Sequence, residues 1–193
     1  MYDLIKERIN ESIKVKQSIL DDNELLENIS KVADEIVLCI KNGGKLILCG
    51  NGGSASDALH FAGEIVGRFQ KERKAWSAIV LNSDVATMTA IANDYSYDEV
   101  FARQAEAHTN KDDIFIGIST SGNSENVLRA LKTAKSKGAK VVALLGKDGG
   151  KISHEADYPL TVRYNITARV QECHICIIHI LCELVENILS NEK

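Results

Sequence analysis

One proline, Pro159, stands in 193 residues. That scarcity, with 45% hydrophobic and 26% charged residues, excludes a collagen-like or intrinsically disordered chain. There is no polybasic run, and Lys plus Arg total 23 against 27 Asp plus Glu, a formal charge of -4. A general nucleic-acid or anionic-membrane surface is not expected, so any anionic ligand is held by local donors. No apolar stretch is read as reaching the roughly 18 residues of a membrane span. The start Met1-Tyr2-Asp3-Leu4 lacks the basic flank and apolar core of a signal peptide. The expectation is a cytoplasmic protein without nucleic-acid or membrane partners. The five cysteines, Cys39, Cys49, Cys173, Cys176 and Cys182, are odd in number and read as reduced thiols.

Helical periodicity runs through residues 2–41, broken at Asp21-Asp22-Asn23 and stopped at Gly43-Gly44. Short apolar runs then alternate with helical segments. Strands are predicted at 45–49, 78–81, 114–119, 140–145 and 158–163, with helices at about 56–68, 85–93, 98–107, 125–137 and 169–189. Four of the strands are continuously apolar, which suits strands buried on both faces of a parallel sheet. The predicted fold is a three-layer α/β sandwich around a five-stranded parallel sheet, with an added N-terminal helical pair. No repeat or linker divides the chain, so one domain is expected over residues 1–193, with helices in 1–42 and an α/β core in 43–193. The inner face of the helical pair is too apolar to lie free, and a five-stranded sandwich cannot absorb all of it. A homo-oligomer is therefore expected.

Two loops follow strands and open helices: Gly50-Asn51-Gly52-Gly53-Ser54, and Ser119-Thr120-Ser121-Gly122-Asn123-Ser124. Open α/β sheets bind ligands at these carboxyl ends. Glycines let the backbone approach a ligand, hydroxyls donate to it, and a helix N-terminus favours negative charge. Together they form a phosphate cradle. Four hydroxyls in six residues exceed what a turn requires, so the second loop is the stronger signal. Neither loop fits a dinucleotide fingerprint, and no Gly-Lys-Ser/Thr is present for a nucleoside triphosphate. A small phosphorylated metabolite fits better.

His60 and Glu64 lie four apart on the helix after the first loop, hence on one face. Gln171, Glu172, His174 and His179 interrupt an otherwise apolar terminal helix and need partners there. Cys173 and Cys176 have a Cys-x-x-Cys spacing inside that helix and read as packing, neither a zinc nor a redox pair.

The residues resemble the phosphoheptose isomerases (sedoheptulose 7-phosphate isomerases) of the sugar isomerase (SIS) domain superfamily, whose core is flavodoxin-like. The likeness spans essentially the whole chain. It is carried by residues 49–68 (CGNGGSASDALHFAGEIVGR), 90–94 (AIAND), 117–127 (GISTSGNSENV), 146–151 (GKDGGK) and 170–183. The serine-rich loop marks the superfamily; His60, Glu64, Gln171 and His179 together mark the isomerase branch. The resemblance implies substrate contacts from Asn51, Gly52, Gly53, Ser54, Asn93, Asp94, Ser119, Thr120, Ser121, Ser124 and Gln171. It implies one zinc ion per subunit on His60, Glu64, Gln171 and His179, with Glu64 and His179 as catalytic residues. It implies a homotetramer with active sites at subunit interfaces, and the conversion of sedoheptulose 7-phosphate to D-glycero-D-manno-heptose 7-phosphate, which leads to lipopolysaccharide heptoses.

Gln171 and His179 are eight positions, about 12 Å, apart along an ideal helix, a long separation for two ligands of one ion; His174 is the substitute to weigh. Two other readings remain. One is a non-catalytic relative that binds the replication initiator; as a branch it lacks acidic and histidine residues where this chain has Glu64 and His179. The other is an isomerase of a different sugar phosphate.

Overall fold

The computed structural model describes residues 1–190; the last three positions of the expected domain, 191–193, lie outside the described residues. The first periodic stretch forms α1 (Tyr2–Leu20) and α2 (Asn23–Lys41). The break between them is chemical. Asp22 caps α2, its carboxylate accepting the Leu25 N–H at 3.0 Å, one of the donors that a helix start leaves without a partner.

The core alternates strand and helix: β1 (Leu46–Gly50), α3 (Gly53–Val66), β2 (Ala78–Val80), α4 (Val85–Asp94), α5 (Ala102–His108), β3 (Ile114–Ser119), α6 (Glu125–Ser136), β4 (Lys140–Gly146), β5 (Tyr158–Val162) and α7 (Thr167–Ser190). The strands form one parallel sheet in the order β2-β1-β3-β4-β5. Strand alternation sends Leu46, Leu48, Ile116 and Leu144 into one core with α2, α3 and α7. Ile47, Cys49, Phe115 and Ala143 go into a second core with α5 and α6. The three-layer sandwich is as predicted, and each interior strand is buried on both faces because each lies between two helical layers.

Several boundaries move. α3 starts at Gly53 rather than near residue 56, because the glycine loop supplies its first turn: the Ser54 N–H donates to Asn51 O and the Ser56 N–H to Gly52 O. The helix expected at 98–107 is a 3-10 turn at Tyr97–Glu99 followed by α5. β2 is a three-residue edge strand with Ala78 and Ile79 half-buried, although it reads as an interior strand. Pro159 sits on the opposite edge strand, β5, where a missing N–H is tolerated.

The expectation of no span-length apolar stretch is corrected. α7, Thr167–Ser190, is long and apolar enough by length and composition to cross a membrane. It is a core helix in this fold. Val170, Cys173, Ile177, Ile178, Leu181 and Val185 are buried against the first core, and its buried polar residues have partners on neighbouring elements.

The N-terminal pair divides. α2 joins the sandwich through Leu25, Ile29, Val32, Ala33, Ile36 and Val37, whereas α1 buries only Val15. Leu4, Ile5, Ile9 and Ile13 of α1 are each more than half exposed.

Candidate active site

β1 and β3 are neighbours, and the chain leaves them in opposite directions: α3 packs in one helical layer and α6 in the other. This reversal opens a crevice at the carboxyl ends of the two strands. Both loops singled out from the sequence stand on it.

The serine loop is a hydroxyl cluster. Ser119 Oγ lies 2.9 Å from Ser124 Oγ and 3.4 Å from Ser121 Oγ, and the Asn123 N–H donates to Ser121 Oγ at 3.1 Å. Ser124 is the N-cap of α6, yet its hydroxyl makes no capping bond to that helix. Hydroxyls gathered at an unblocked helix N-terminus suit an anion. The loop is braced from behind by the 146–151 turn. Gly122 has φ +66°, and a Cβ there would fall 2.1 Å from Gly149 O; a Cβ on Gly146 would fall 2.4 Å from Thr120 O.

The glycine loop is held from two sides. Asn82 accepts the Gly50 N–H and donates to Gly50 O. Asn51 and the buried Asn126 exchange amide hydrogen bonds of 2.9 and 3.0 Å, and Tyr97 OH donates to Asn51 Oδ1 at 3.0 Å. The Asn51 amide, expected at the sugar, thus ties the glycine loop to the start of α6. Asn126, Tyr97 and Asn82 carry no sequence signal, since these loop partners are 32 or more positions distant. Gly52 takes φ +56° with open space where a Cβ would stand. Ser54 is buried in the first turn of α3, and Asn93 donates to Asp94 at 2.9 Å on the exposed end of α4.

Farther along α3, the sequence pair His60 and Glu64 meets His179 of α7. His60 Nε2 lies 3.1 Å from Glu64 Oε1 and 3.2 Å from His179 Nε2, and one donor atom from each residue lies within 4.8 Å of the other two. One Nε2 cannot give its hydrogen to Glu64 and also accept a hydrogen from His179. A cation shared by the three donor atoms would resolve the conflict. Ligands on a tetrahedral ion with bonds of 2.0–2.1 Å stand about 3.3 Å apart, close to the two short separations seen. The donor set fits a metal ion.

Gln171 stands against the first turn of α3. Its amide covers Gly53, whose Cβ would fall 2.3 Å from Gln171 Nε2, and Gly53 is seven residues, about 10 Å along an ideal helix, before His60. His174 is not a substitute ligand. It is wholly buried, and its Nε2 donates to Leu145 O at 3.0 Å. Burial pulls its pKa down to about 4, the bond to Leu145 opposing, so it is neutral at pH 7. Asp57 is a group the sequence reading missed. Between the glycine loop and His60, burial pushes its carboxyl up to about 6 against the pull of His60, and its Oδ2 has no hydrogen-bond partner among the described residues. Cys173 and Cys176 are free thiols on α7, and burial raises the Cys173 pKa to about 11.

Residues 10–146 match the SIS domain family. The chain is 46% identical over 193 residues to a phosphoheptose isomerase from Clostridium acetobutylicum, covering all of this chain and 98% of that one. It is 50% identical over 179 residues to a phosphoheptose isomerase from Helicobacter pylori (strain P12), covering 92% and 93%. The solved structure of phosphoheptose isomerase GmhA from Neisseria gonorrhoeae superposes with a TM-score of 0.91 at 40% identity, over 96% of this chain and 98% of that one.

Proposed function

The chain belongs to the phosphoheptose isomerases of the SIS domain family, and from that premise we propose the reaction, substrate and site roles that follow. It is an aldose-ketose isomerase of a sugar phosphate. Its reaction interconverts sedoheptulose 7-phosphate and D-glycero-D-manno-heptose 7-phosphate, leading to the heptoses of lipopolysaccharide.

The substrate carries its phosphate on C7 and reacts at C1 and C2, so the site needs two separate ends. Ser119, Thr120, Ser121 and Ser124 grip the phosphate; Gly52, Gly53, Ser54 and Gln171 line the sugar, with Asn93 and Asp94 approaching from α4. Asn51 shapes the same wall through Asn126. At the far end Glu64 removes the proton from C1, giving an enediol, and returns a proton to C2. His179 takes the hydrogen from O1 and delivers it to O2. The balance is one proton moved between carbons and one between oxygens, with no net change. The single observation that carries this reading is the meeting of Glu64, His60 and His179 on two helices beside the crevice.

His60, Glu64 and His179 would hold one zinc ion, with Gln171 as the fourth ligand that the resemblance implies. When bound, zinc supplies a Lewis acid that stabilises negative charge on the substrate oxygens. Glu64 meets His60 through Oε1, so a carboxylate with two oxygens can hold with one and take a proton with the other. The protein works as a cytoplasmic homotetramer of one domain, residues 1–193, in which the helices of 1–42 associate and neighbouring subunits close the sites. Support comes from the uncovered α1 stripe: burying a Leu or Ile side chain contributes about 1.5–3 kcal/mol, and Leu4, Ile5, Ile9 and Ile13 all await cover.

The experiment is conversion of sedoheptulose 7-phosphate in deuterated water, with Glu64→Gln and His179→Ala beside the parent. Deuterium is expected at C2 of the aldose, with activity nearly abolished in both variants. Full activity in Glu64→Gln would remove the mechanism. Loss of activity on chelation and its return with zinc would establish the ion's role.

A further inference from the structure

The connection from α3 to β2 brings Phe69 against His179 and is pinned by an ion pair that no part of the mechanism above uses. Glu186, on α7 two turns beyond His179, is 2% exposed in its side chain, and Arg73 is 7% exposed. Glu186 accepts the backbone N–H groups of Phe69, Gln70 and Lys71 at 3.2, 2.8 and 2.8 Å, and Arg73 Nε at 3.1 Å. These bonds hold its carboxyl below the usual carboxylate range although burial alone pushes the other way. Arg73 turns to the other helix. Its Nη2 donates to Glu64 O at 2.7 Å and its Nη1 to Ile65 O at 3.0 Å, with further bonds to Gly67 O and Lys74 O. Glu64 O, Ile65 O and Gly67 O lie around the C-terminal end of α3, where carbonyls lack helical partners and favour a cation. The Trp76 ring lies 3.6 Å from the guanidinium carbon. The pinned segment also presents Phe69 to His179, ring centroids 5.6 Å apart.

We propose that Arg73 and Glu186 are positioning residues that hold Glu64 on α3 and His179 on α7 at their working separation, with Phe69 fixing the His179 ring. This rests on the roles given above to His60, Glu64 and His179. The fork geometry of a guanidinium is what allows one side chain to serve a carboxylate and several carbonyls at once, and lysine cannot reproduce it. Partners of this kind orient metal ligands, and losing one costs about 10- to 100-fold in metal affinity or activity.

The test compares zinc-loaded parent, Arg73→Lys, Glu186→Gln and Phe69→Leu by zinc retained against a graded chelator, by kcat and KM, and by binding of inorganic phosphate. Asp113→Asn is the control: it breaks the buried Lys45–Asp113 pair of 2.7 Å at the other end of the sheet. Arg73→Lys and Glu186→Gln are expected to lose about tenfold or more in zinc affinity and in kcat. Their KM and phosphate binding stay within about twofold of the parent. Asp113→Asn loses stability yet keeps zinc and kcat. Folded Arg73→Lys and Glu186→Gln that retain zinc and kcat overturn the proposal, and so does an equal loss in Asp113→Asn. If both ion-pair variants fail to fold, Phe69→Leu decides, because it leaves the pair intact: weaker zinc retention supports the proposal and unchanged retention overturns it. His60→Ala and His179→Ala separate the two levels. Zinc retention unchanged in them removes the site itself, whereas zinc lost there and kept in the ion-pair variants removes only the positioning role.

Discussion

The two ends of the crevice are built differently. The end proposed to grip the phosphate is local: its hydroxyls fall within six consecutive residues, and the fold adds only a brace, the 146–151 turn behind Gly122 and Gly146. The end proposed to react is assembled from afar. His60 and His179 are 119 positions apart and meet at 3.2 Å, held by elements that touch no substrate. A grip shared among many small donors tolerates the loss of one, while a reaction centre of two or three side chains does not. The difference predicts where single substitutions are felt.

The largest effect is expected at the reacting end. Glu64→Gln should lower kcat by about a thousandfold, within the range of general acid-base contributions, and leave the affinity for sedoheptulose 7-phosphate nearly intact. Steady-state and binding measurements together check this, and an equal loss of binding would break the contrast between the ends.

His174 links the two ends by tying α7 to Leu145 O, next to the Gly146 that abuts Thr120. Its folded pKa, about 4, lies below the ordinary 6.5, so the unfolded chain takes up the proton first and acid destabilises the fold. The loss begins as pH falls below 6.5 and is complete below 4, reaching up to about 3 kcal/mol at about 1.4 kcal/mol per pH unit. Urea unfolding between pH 7 and 4 should show His174→Gln without this slope. Asp57 works in the opposite sense: its raised pKa favours the folded state as pH falls from 6 to 3.8, so Asp57→Asn should steepen the acid loss.

Gly122→Ala tests the brace. Its φ of +66° and the 2.1 Å approach to Gly149 O leave no room for a methyl group, and a cost of about 2 kcal/mol or more is expected in urea unfolding, with weaker phosphate binding. The smallest effect belongs to one hydroxyl. Ser124→Ala should raise KM about tenfold, the worth of one hydrogen bond to a charged group, with kcat little changed; a kcat loss matching that of Glu64→Gln would erase the distinction.

Legibility follows the same division. The serine loop, the glycine loop and the five strands were readable because glycines, hydroxyls and apolar runs act on their immediate neighbours. The His60 and Glu64 pair was visible as a spacing; its meeting with His179 came only through resemblance. Arg73, Glu186, Phe69, Asn82, Asn126 and Asp57 gave no signal, because their significance lies in partners or burial that the fold creates. α7 shows the limit of composition, for 24 apolar-rich residues describe a core helix as well as a span.

By itself, the amino-acid order determined the alternation of strands and helices, the family, and a cluster of hydroxyls at a strand end, since these depend on periodicities and contacts reaching only a few residues. The tertiary structure alone decided which helix faces which, that α2 enters the core while α1 stays uncovered, and that a carboxylate and two imidazoles gather within 4.8 Å of one another. Those outcomes are set by packing between segments remote in the chain, where a buried charge or donor is stable only if the folded chain brings its partner to it.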